Sequence, residues 1–434
     1  VWGVIMKFNI ITVGCKVNTY ESEYMLESLK KAGFIYNEEK PNIIIVNTCS
    51  VTNMADHKSL KLVRKSRREN PNAILVVCGC STQNDISKYQ DLNIQILIGN
   101  RGKSNIVALI NNYLENKEIY NYITNNRELD FEDMRVQKFT THTRAFIKIQ
   151  DGCNNFCSYC IIPYTRGNIR SKNFNEVLEE ARILTENGHK EIVLTGIHTG
   201  SYQDSGHDLS DLITALANIE KLERIRLSSI EITELDDKFL NTLATTKKLA
   251  NHLHIPLQSG SDAILKRMNR KYDLAYYHNK INKIREIRPD ISITTDCIVG
   301  HPYETDNDFK EYLDFCKSIE FSKMHVFPYS LRNGTAASFM PQVENTVKKE
   351  RAKVLGNLSK ELEDAYMSKF IGKDVNVLTE EYSSCYTIGH TSNYLKVAIP
   401  KEVLLNNNYT VHIEALKGDL LIGNIVTCNE EVTI

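Results

Sequence analysis

The chain has 434 residues, 42% of them hydrophobic and 25% charged, with 53 basic against 54 acidic side chains. That length exceeds one ordinary domain, and the composition excludes disorder as the main state. No stretch of about 18 uncharged apolar residues occurs, so no membrane span is expected, and the near-zero net charge confines any nucleic-acid surface to a local patch.

The opening VWGVIM lacks the basic start and cleavage site of an export signal, so a reducing, cytoplasmic compartment is expected. Met6 before Lys7 reads as the start, with Val1 to Ile5 an artefact of translation initiation.

In chain order, the first segment (7–117) alternates apolar runs with helical patterns. Residues 9–15, 42–49, 73–80 and 94–99 read as buried strands, and 19–32, 54–69 and 103–115 as helices. Strands separated by helices predict a doubly wound parallel sheet. The polar stretch 116–139 reads as a linker with some local structure. The second segment (139–369) offers strands at 144–150, 190–196, 224–229, 252–258, 291–299 and 323–330. Helical patterns such as 174–188 and 273–287 separate them, and a charged helix over 343–369 closes the segment. Six such units predict an α/β fold of the partial (βα)6, TIM-like kind. The third segment (372–434) alternates apolar and polar residues between turns, as a small β-barrel does.

Eleven cysteines are the informative feature, and seven precede residue 161. Without an export signal, disulfides are not expected. In DGCNNFCSYC, Cys153, Cys157 and Cys160 place three thiolates in eight residues. Three thiolates hold three corners of a cubane iron–sulfur cluster and leave one iron open to a substrate. Structural zinc normally takes four ligands, and no partner pair is evident. The loop follows the first barrel strand, at the face where barrel active sites form.

Cys15, Cys49 and Cys80 each end a predicted parallel strand. Such ends lie along one sheet edge, where ligands bind, so the three are expected to converge. Cys78 would share the face of Cys80 on a regular strand, unless Gly79 turns the chain. Cys297, Cys316, Cys385 and Cys428 lie in apolar patterns and read as core.

The spacing of Cys153, Cys157 and Cys160, with Tyr159 before the last, resembles the radical S-adenosylmethionine enzymes. Further stretches are GCKVN (14–18), NTCSVT (47–52), CGCSTQ (78–83), TGIHTG (195–200), RLSSIE (226–231), HLHIPLQSGSDAILKRMNRKY (252–272), CIVGHPYET (297–305) and HVFPYSLRNGTAA (325–337). With these the chain is similar, over nearly its whole length, to the methylthiotransferases of that class.

The resemblance implies two 4Fe-4S clusters, one on Cys153, Cys157 and Cys160, the other on Cys15, Cys49 and Cys80. Cys80, and not Cys78, matches the family's third N-terminal ligand, which follows a glycine. S-adenosyl-L-methionine would chelate the open iron, and the C-terminal barrel would be a TRAM domain. One S-adenosylmethionine would methylate a sulfur held at the auxiliary cluster. A second would supply the radical that takes hydrogen from C2 of an adenine. The GCKVN form resembles the branch acting on threonylcarbamoyladenosine beside the tRNA anticodon. Implied partners are tRNA, a reducing electron donor such as flavodoxin, and a sulfur donor that the motifs do not specify. Alternatives are the same chemistry on isopentenyladenosine tRNA or on a ribosomal-protein aspartate, or a non-catalytic iron–sulfur protein that binds RNA.

Tyr159, Thr195, Gly196, Glu231, Gln258 and Gly300 are implied contacts of the nucleotide. The strand-end polar residues among them also read as caps of the following helices, and Gly300 as a point of close approach to adenine. Asp296 stands where the family's fifth-strand motif has glycine. His252 and His254 read as core or rim residues. Arg166 and Arg332 are cations available to a substrate carboxylate, each with a plain surface reading.

Residues 7–115 carry 14 basic and 10 acidic side chains. The basic run 57–68 reads as a phosphate grip or as a solvated helix face. Residues 372–434 carry 4 basic and 8 acidic side chains, which argues against simple electrostatic tethering of RNA there. Tyr382, Tyr386, Tyr394 and Tyr409 remain available for stacking.

Overall fold

The computed structural model describes residues 6–127, 129–140 and 142–426. Val1 to Ile5 and Cys428, on which two sequence expectations fell, lie outside the described residues. Among those described, no helix is long and apolar enough to cross a membrane.

The first part is a six-stranded parallel sheet. Its spatial order is Ile35–Tyr36, Lys7–Thr12, Ile43–Thr48, Ile74–Gly79, Ile96–Ile98 and Tyr120–Tyr122. Ile43–Thr48 is buried on both faces, which is why it reads as an unbroken apolar run. Two strands were not foreseen. Ile35–Tyr36 is too short to show a period. Tyr120–Tyr122 comes from the stretch read as linker, because an edge strand exposed on one side needs no apolar run. The first helix starts at Lys16, earlier than expected, because Cys15 already takes the extended conformation of a helix N-cap.

The strand order reverses between Lys7–Thr12 and Ile43–Thr48, the crevice where doubly wound sheets bind ligands. Cys15, Cys49 and Cys80 follow three adjacent strands at that end.

The second part holds six parallel strands in two halves, joined by a bridge between Ile225 and Leu249. One half is Arg224–Leu227, Glu191–Thr195 and Ala145–Lys148; the other is His252–His254, Ser292–Val299 and Lys323–Pro328. This is an open (βα)6 barrel. The fourth strand is shorter than its apolar run suggested, since only His252–His254 pairs continuously and Gln258 rejoins through one bridge to Cys297. The helix Asn345–Ser368 closes this part.

The third part is a closed five-stranded barrel in the order Asp374–Ser383, Tyr386–Thr391, Lys396–Ile399, Leu420–Ile425, Asn408–Lys417. Its loop at 392–395 packs against the floor of the open barrel. Arg226 donates to the carbonyls of Thr391 and Ser392, and the guanidinium groups of Arg226 and Arg144 lie 4.7 and 5.0 Å from the centre of the Tyr394 ring. Tyr394 is therefore committed to an internal contact and offers no free face to RNA. Cys385 is exposed at the turn between Ser383 and Tyr386, not core as expected. Cys297 and Cys316 are core.

Candidate active site

The sheet edge brings Cys15, Cys49 and Cys80 together. Asn18 ties the first two strand ends, donating to the carbonyls of Val13 at 2.7 Å and Thr48 at 3.0 Å. Ser59 brackets Cys49 by accepting from its N–H and donating to its carbonyl. Gly79 turns the chain with φ of +110°, where a side chain would strike the carbonyl of Thr48. That turn separates the two nearby thiols. Cys78 packs into the apolar core of the sheet, while Cys80 opens a short helix on the side of Cys15 and Cys49. At Gly14 a Cβ would lie 2.7 Å from the sulfur of Cys49, so this glycine keeps space beside the thiol.

The chemistry of the donors fits an iron–sulfur cluster. Burial, then the neighbouring Cys80 and Cys15, pushes the Cys49 thiol up to about 12. Burial, then Cys157, does the same to Cys160. Three thiolates so placed coexist only around positive charge, which bound iron supplies. Among the described residues no three His, Cys, Asp or Glu side chains close on a single ion. A cubane does not need that, because each thiolate holds its own iron.

A buried ion network joins the two cysteine-bearing parts. Glu21, on the first helix, meets Lys103, Lys148 at 2.8 Å and Arg166 at 3.2 Å. Asp151, two residues before Cys153, meets Lys148 at 2.7 Å and Arg166 at 3.1 Å. Arg166 also donates to Asn18 at 3.1 Å. Arg166 is thus fully buried and paired, not a surface cation. Burial alone would weaken its charge, but Cys80, Asp151, Glu21 and Cys15 hold the guanidinium firmly protonated.

The second set sits in the loop after the first barrel strand. Sequence reasoning missed two residues that touch it. Arg270 donates to the sulfur of Cys157 at 3.5 Å and pairs with Glu231. His198 lies 4.0 Å from the sulfur of Cys153 and 2.6 Å from Glu234. Both stand in quoted stretches, yet nothing in their spacing announces contact with cysteines so far away in the chain.

Two cavities border the sets. A slot of about 230 Å³ is lined by Cys160, Tyr159, Gln258, Asp296, Phe327 and Arg332, among others. A cavity of about 890 Å³ runs from Cys15 and Lys16 past Thr195, Gly196 and His254 to Tyr394. Val51, Ile162, Asp296 and Phe327 line both, so the spaces adjoin. Asp296, the departure from the family motif, pairs with His254 at 3.3 Å on the shared wall. Two implied nucleotide contacts are placed differently from the rest. Gly300 has φ of +71°, and the room it leaves is taken by Lys348, 2.4 Å from where a Cβ would stand. It is therefore a packing glycine, absent from either lining. Glu231 is engaged with Arg270 and precedes the short turn Ile232–Glu234.

The basic helix Asn53–Glu69 is capped by the Thr52 hydroxyl. His57, Lys58, Lys61, Arg64, Lys65 and Arg68 are exposed on it. Arg67 is not part of that face; its guanidinium donates to the carbonyls of Pro71, Ala73 and Asn93.

An open six-stranded barrel with a three-cysteine loop at its first strand end defines a radical S-adenosylmethionine enzyme. Residues 147–316 match the Radical SAM superfamily, and residues 7–99 match uncharacterized protein family UPF0004. The chain is 40% identical over 402 residues to the threonylcarbamoyladenosine tRNA methylthiotransferase MtaB of Bacillus subtilis, covering 89% of this chain and 88% of that protein. It is 39% identical to the protein of the same name from Thermotoga maritima, covering 98% and 97%. A Thermoanaerobacter protein named tRNA-2-methylthio-N(6)-dimethylallyladenosine synthase is 36% identical, covering 88% and 83%. The solved radical S-adenosylmethionine methyltransferase TsrM of Kitasatospora setae shares the fold, with a TM-score of 0.57 at 13% identity over 77% of this chain and 75% of that one. The chain belongs to the methylthiotransferase family of radical S-adenosylmethionine enzymes. Its cofactors are S-adenosylmethionine and two 4Fe-4S clusters.

Proposed function

We propose that this chain transfers a methylthio group to C2 of threonylcarbamoyladenosine beside the anticodon of tRNA, in the cytoplasm. One observation carries the reading: two three-cysteine sets stand on different parts of the fold, and Cys160 of one and Cys15 of the other line adjoining cavities. A reaction that joins sulfur to a carbon radical needs both partners held at close quarters, so that capture is effectively intramolecular. The relatives named for this substrate support the choice of branch.

In this reading Cys153, Cys157 and Cys160 hold the radical-generating cluster, and Cys15, Cys49 and Cys80 the auxiliary one. When bound, the first cluster with S-adenosylmethionine supplies a carbon-centred radical, and the second holds the sulfur. The chain's own residues do the positioning. Arg270 fixes Cys157 and Glu231 together. The network around Glu21 fixes the distance between the two sets. Tyr159, Thr195, Gly196 and Gln258 line the spaces where the nucleotide would lie. A reducing electron donor must reach the first cluster.

The test is mass spectrometry of nucleosides from tRNA treated with the reconstituted enzyme. Methylthio product is expected on tRNA carrying threonylcarbamoyladenosine and none on tRNA from cells unable to make it. Product only on isopentenylated tRNA would assign the chain to the neighbouring branch. Labelling of a ribosomal-protein aspartate would remove tRNA from the reading.

A further inference from the structure

Lys323 and Lys396 on the large cavity pair with Glu363 and Glu381; the surroundings of Arg166, Arg332 and Lys16 sort the cations nearer the cysteine sets. Arg166 is spent on Glu21, Asp151 and Asn18. Arg332 is held by Asn53, while its buried Nε and Nη2 have no partner among the described residues. It lines both the slot and an outer groove that includes His57 and Lys88, beside the basic helix. Lys16 follows Cys15 directly and lines the large cavity, whose wall also carries Ser228, Ser229 and Thr294. Among the described residues, no hydrogen bond or ion pair engages its ammonium group.

The geometry of a purine separates the last two. C2, the exocyclic N6 and the glycosidic N9 point to different sides of the ring system. With C2 between the cysteine sets, N9 must face the mouth, because the ribose stays attached to the RNA chain. The N6 substituent then faces inward. Arg332 is at the mouth, since it alone of the two borders the outer groove. Lys16 is inside, where burial and then Tyr394, Arg144, Arg226 and Glu191 act on its charge, and hydroxyl groups elsewhere on the same cavity wall suit a polar substituent.

We propose that Lys16 is a specificity-determining residue, whose ammonium group pairs the carboxylate of the N6-threonylcarbamoyl group. The proposal rests on the substrate reading above. A buried carboxylate left without a partner is costly, and a hydrogen bond to a charged group changes a rate constant by about 10- to 100-fold. Isosteric substrates without the charge should be rejected by a similar factor.

The experiment compares wild type, Lys16→Met and Lys16→Arg, each reconstituted as full-length enzyme. The substrates are one tRNA carrying threonylcarbamoyladenosine and the same tRNA with that carboxylate converted to an amide. Wild type is expected to favour the acid over the amide by about 10-fold or more in kcat/KM. Lys16→Met should lose that preference, through a fall on the acid alone, and Lys16→Arg should restore most of it. Iron content and S-adenosylmethionine cleavage, read on the same preparations, should match wild type. An unchanged preference in Lys16→Met, an equal loss on both substrates, or a loss of iron would overturn the proposal. Wild type inactive on the acid-bearing tRNA would instead overturn the substrate reading, and the role of Lys16 with it.

Discussion

Cys153, Cys157 and Cys160 lie in one eight-residue loop, whereas Cys15, Cys49 and Cys80 come from three strand ends separated by 34 and 31 residues. The loop set is oriented from outside by single contacts, Arg270 on Cys157 and His198 near Cys153. The dispersed set is assembled by the sheet itself, with Asn18 tying the strand ends and Gly79 choosing which thiol turns inward. A local motif carries its own geometry, while a dispersed one inherits the precision of the topology that gathers it. Buried charge on Glu21 and Asp151 then locks one to the other.

The comparison is broken most severely at the thiols. Cys157→Ala should reduce 5′-deoxyadenosine release to background and remove about four of eight irons. Cys80→Ala should lose a similar share of iron yet still cleave S-adenosylmethionine. Iron analysis paired with the cleavage assay checks both. Matching behaviour of the two variants would end the division of labour between the sets.

Next in size is the lock. Glu21→Ala strands Lys103, Lys148 and Arg166 without their shared carboxylate, a loss of about 3–5 kcal/mol. Denaturant unfolding measures it. A variant as stable as wild type would mean the two cysteine-bearing parts are set independently.

Acid loads the barrel floor as it does this lock, whose Glu21 carboxyl, against the effect of burial, is also held below its ordinary range by Lys103, Lys148 and Arg166. Burial alone would raise the carboxyl of Glu191, but Arg226 and then Arg224 outweigh it and bring its pKa to about 2. A depressed folded pKa means stability that is complete above the unfolded value and lost as pH falls toward the folded one. Between about pH 4.5 and 2 this single group should forfeit about 3 kcal/mol. The urea midpoint should therefore fall less on acidification in Glu191→Gln than in wild type, although that variant starts lower at pH 7. Parallel curves would show that the floor pair does not titrate in this window.

Outside the site, replacing Lys58, Lys61, Arg64, Lys65 and Arg68 by Ala should flatten the salt dependence of tRNA binding by about two to four log units per log unit. Arg67→Ala should leave that slope alone and cost stability instead, since its partners are backbone carbonyls. A filter-binding salt series reads the first and thermal unfolding the second. The smallest effect belongs to Cys78→Ala, about 1 kcal/mol of core packing with full iron content. Loss of the auxiliary iron in that variant would reverse the assignment of the turn at Gly79.

The three-part architecture was legible in periodicity, because central parallel strands are buried on both faces and read as unbroken apolar runs. The loop set was equally legible, since eight consecutive residues cannot place their thiols far apart. Edge strands such as Tyr120–Tyr122 left no such trace, because half of each is solvated.

Other features depend on which strands lie side by side, and spacing along the chain does not report that. Arg166 and Arg67 look alike as sequence, yet one is sealed between Glu21 and Asp151 and the other clamps a turn. Tyr394 looks available for RNA, yet it closes the floor of a different part. The sequence by itself determined the long buried elements and the chemical identity of the six thiols. Only the tertiary structure decided which charges are neutralised, which glycine turns a cysteine inward, and which lysine is left unpaired inside the cavity. The physical reason is that burial and pairing belong to neighbours in space, and folding brings those neighbours from distant parts of the chain.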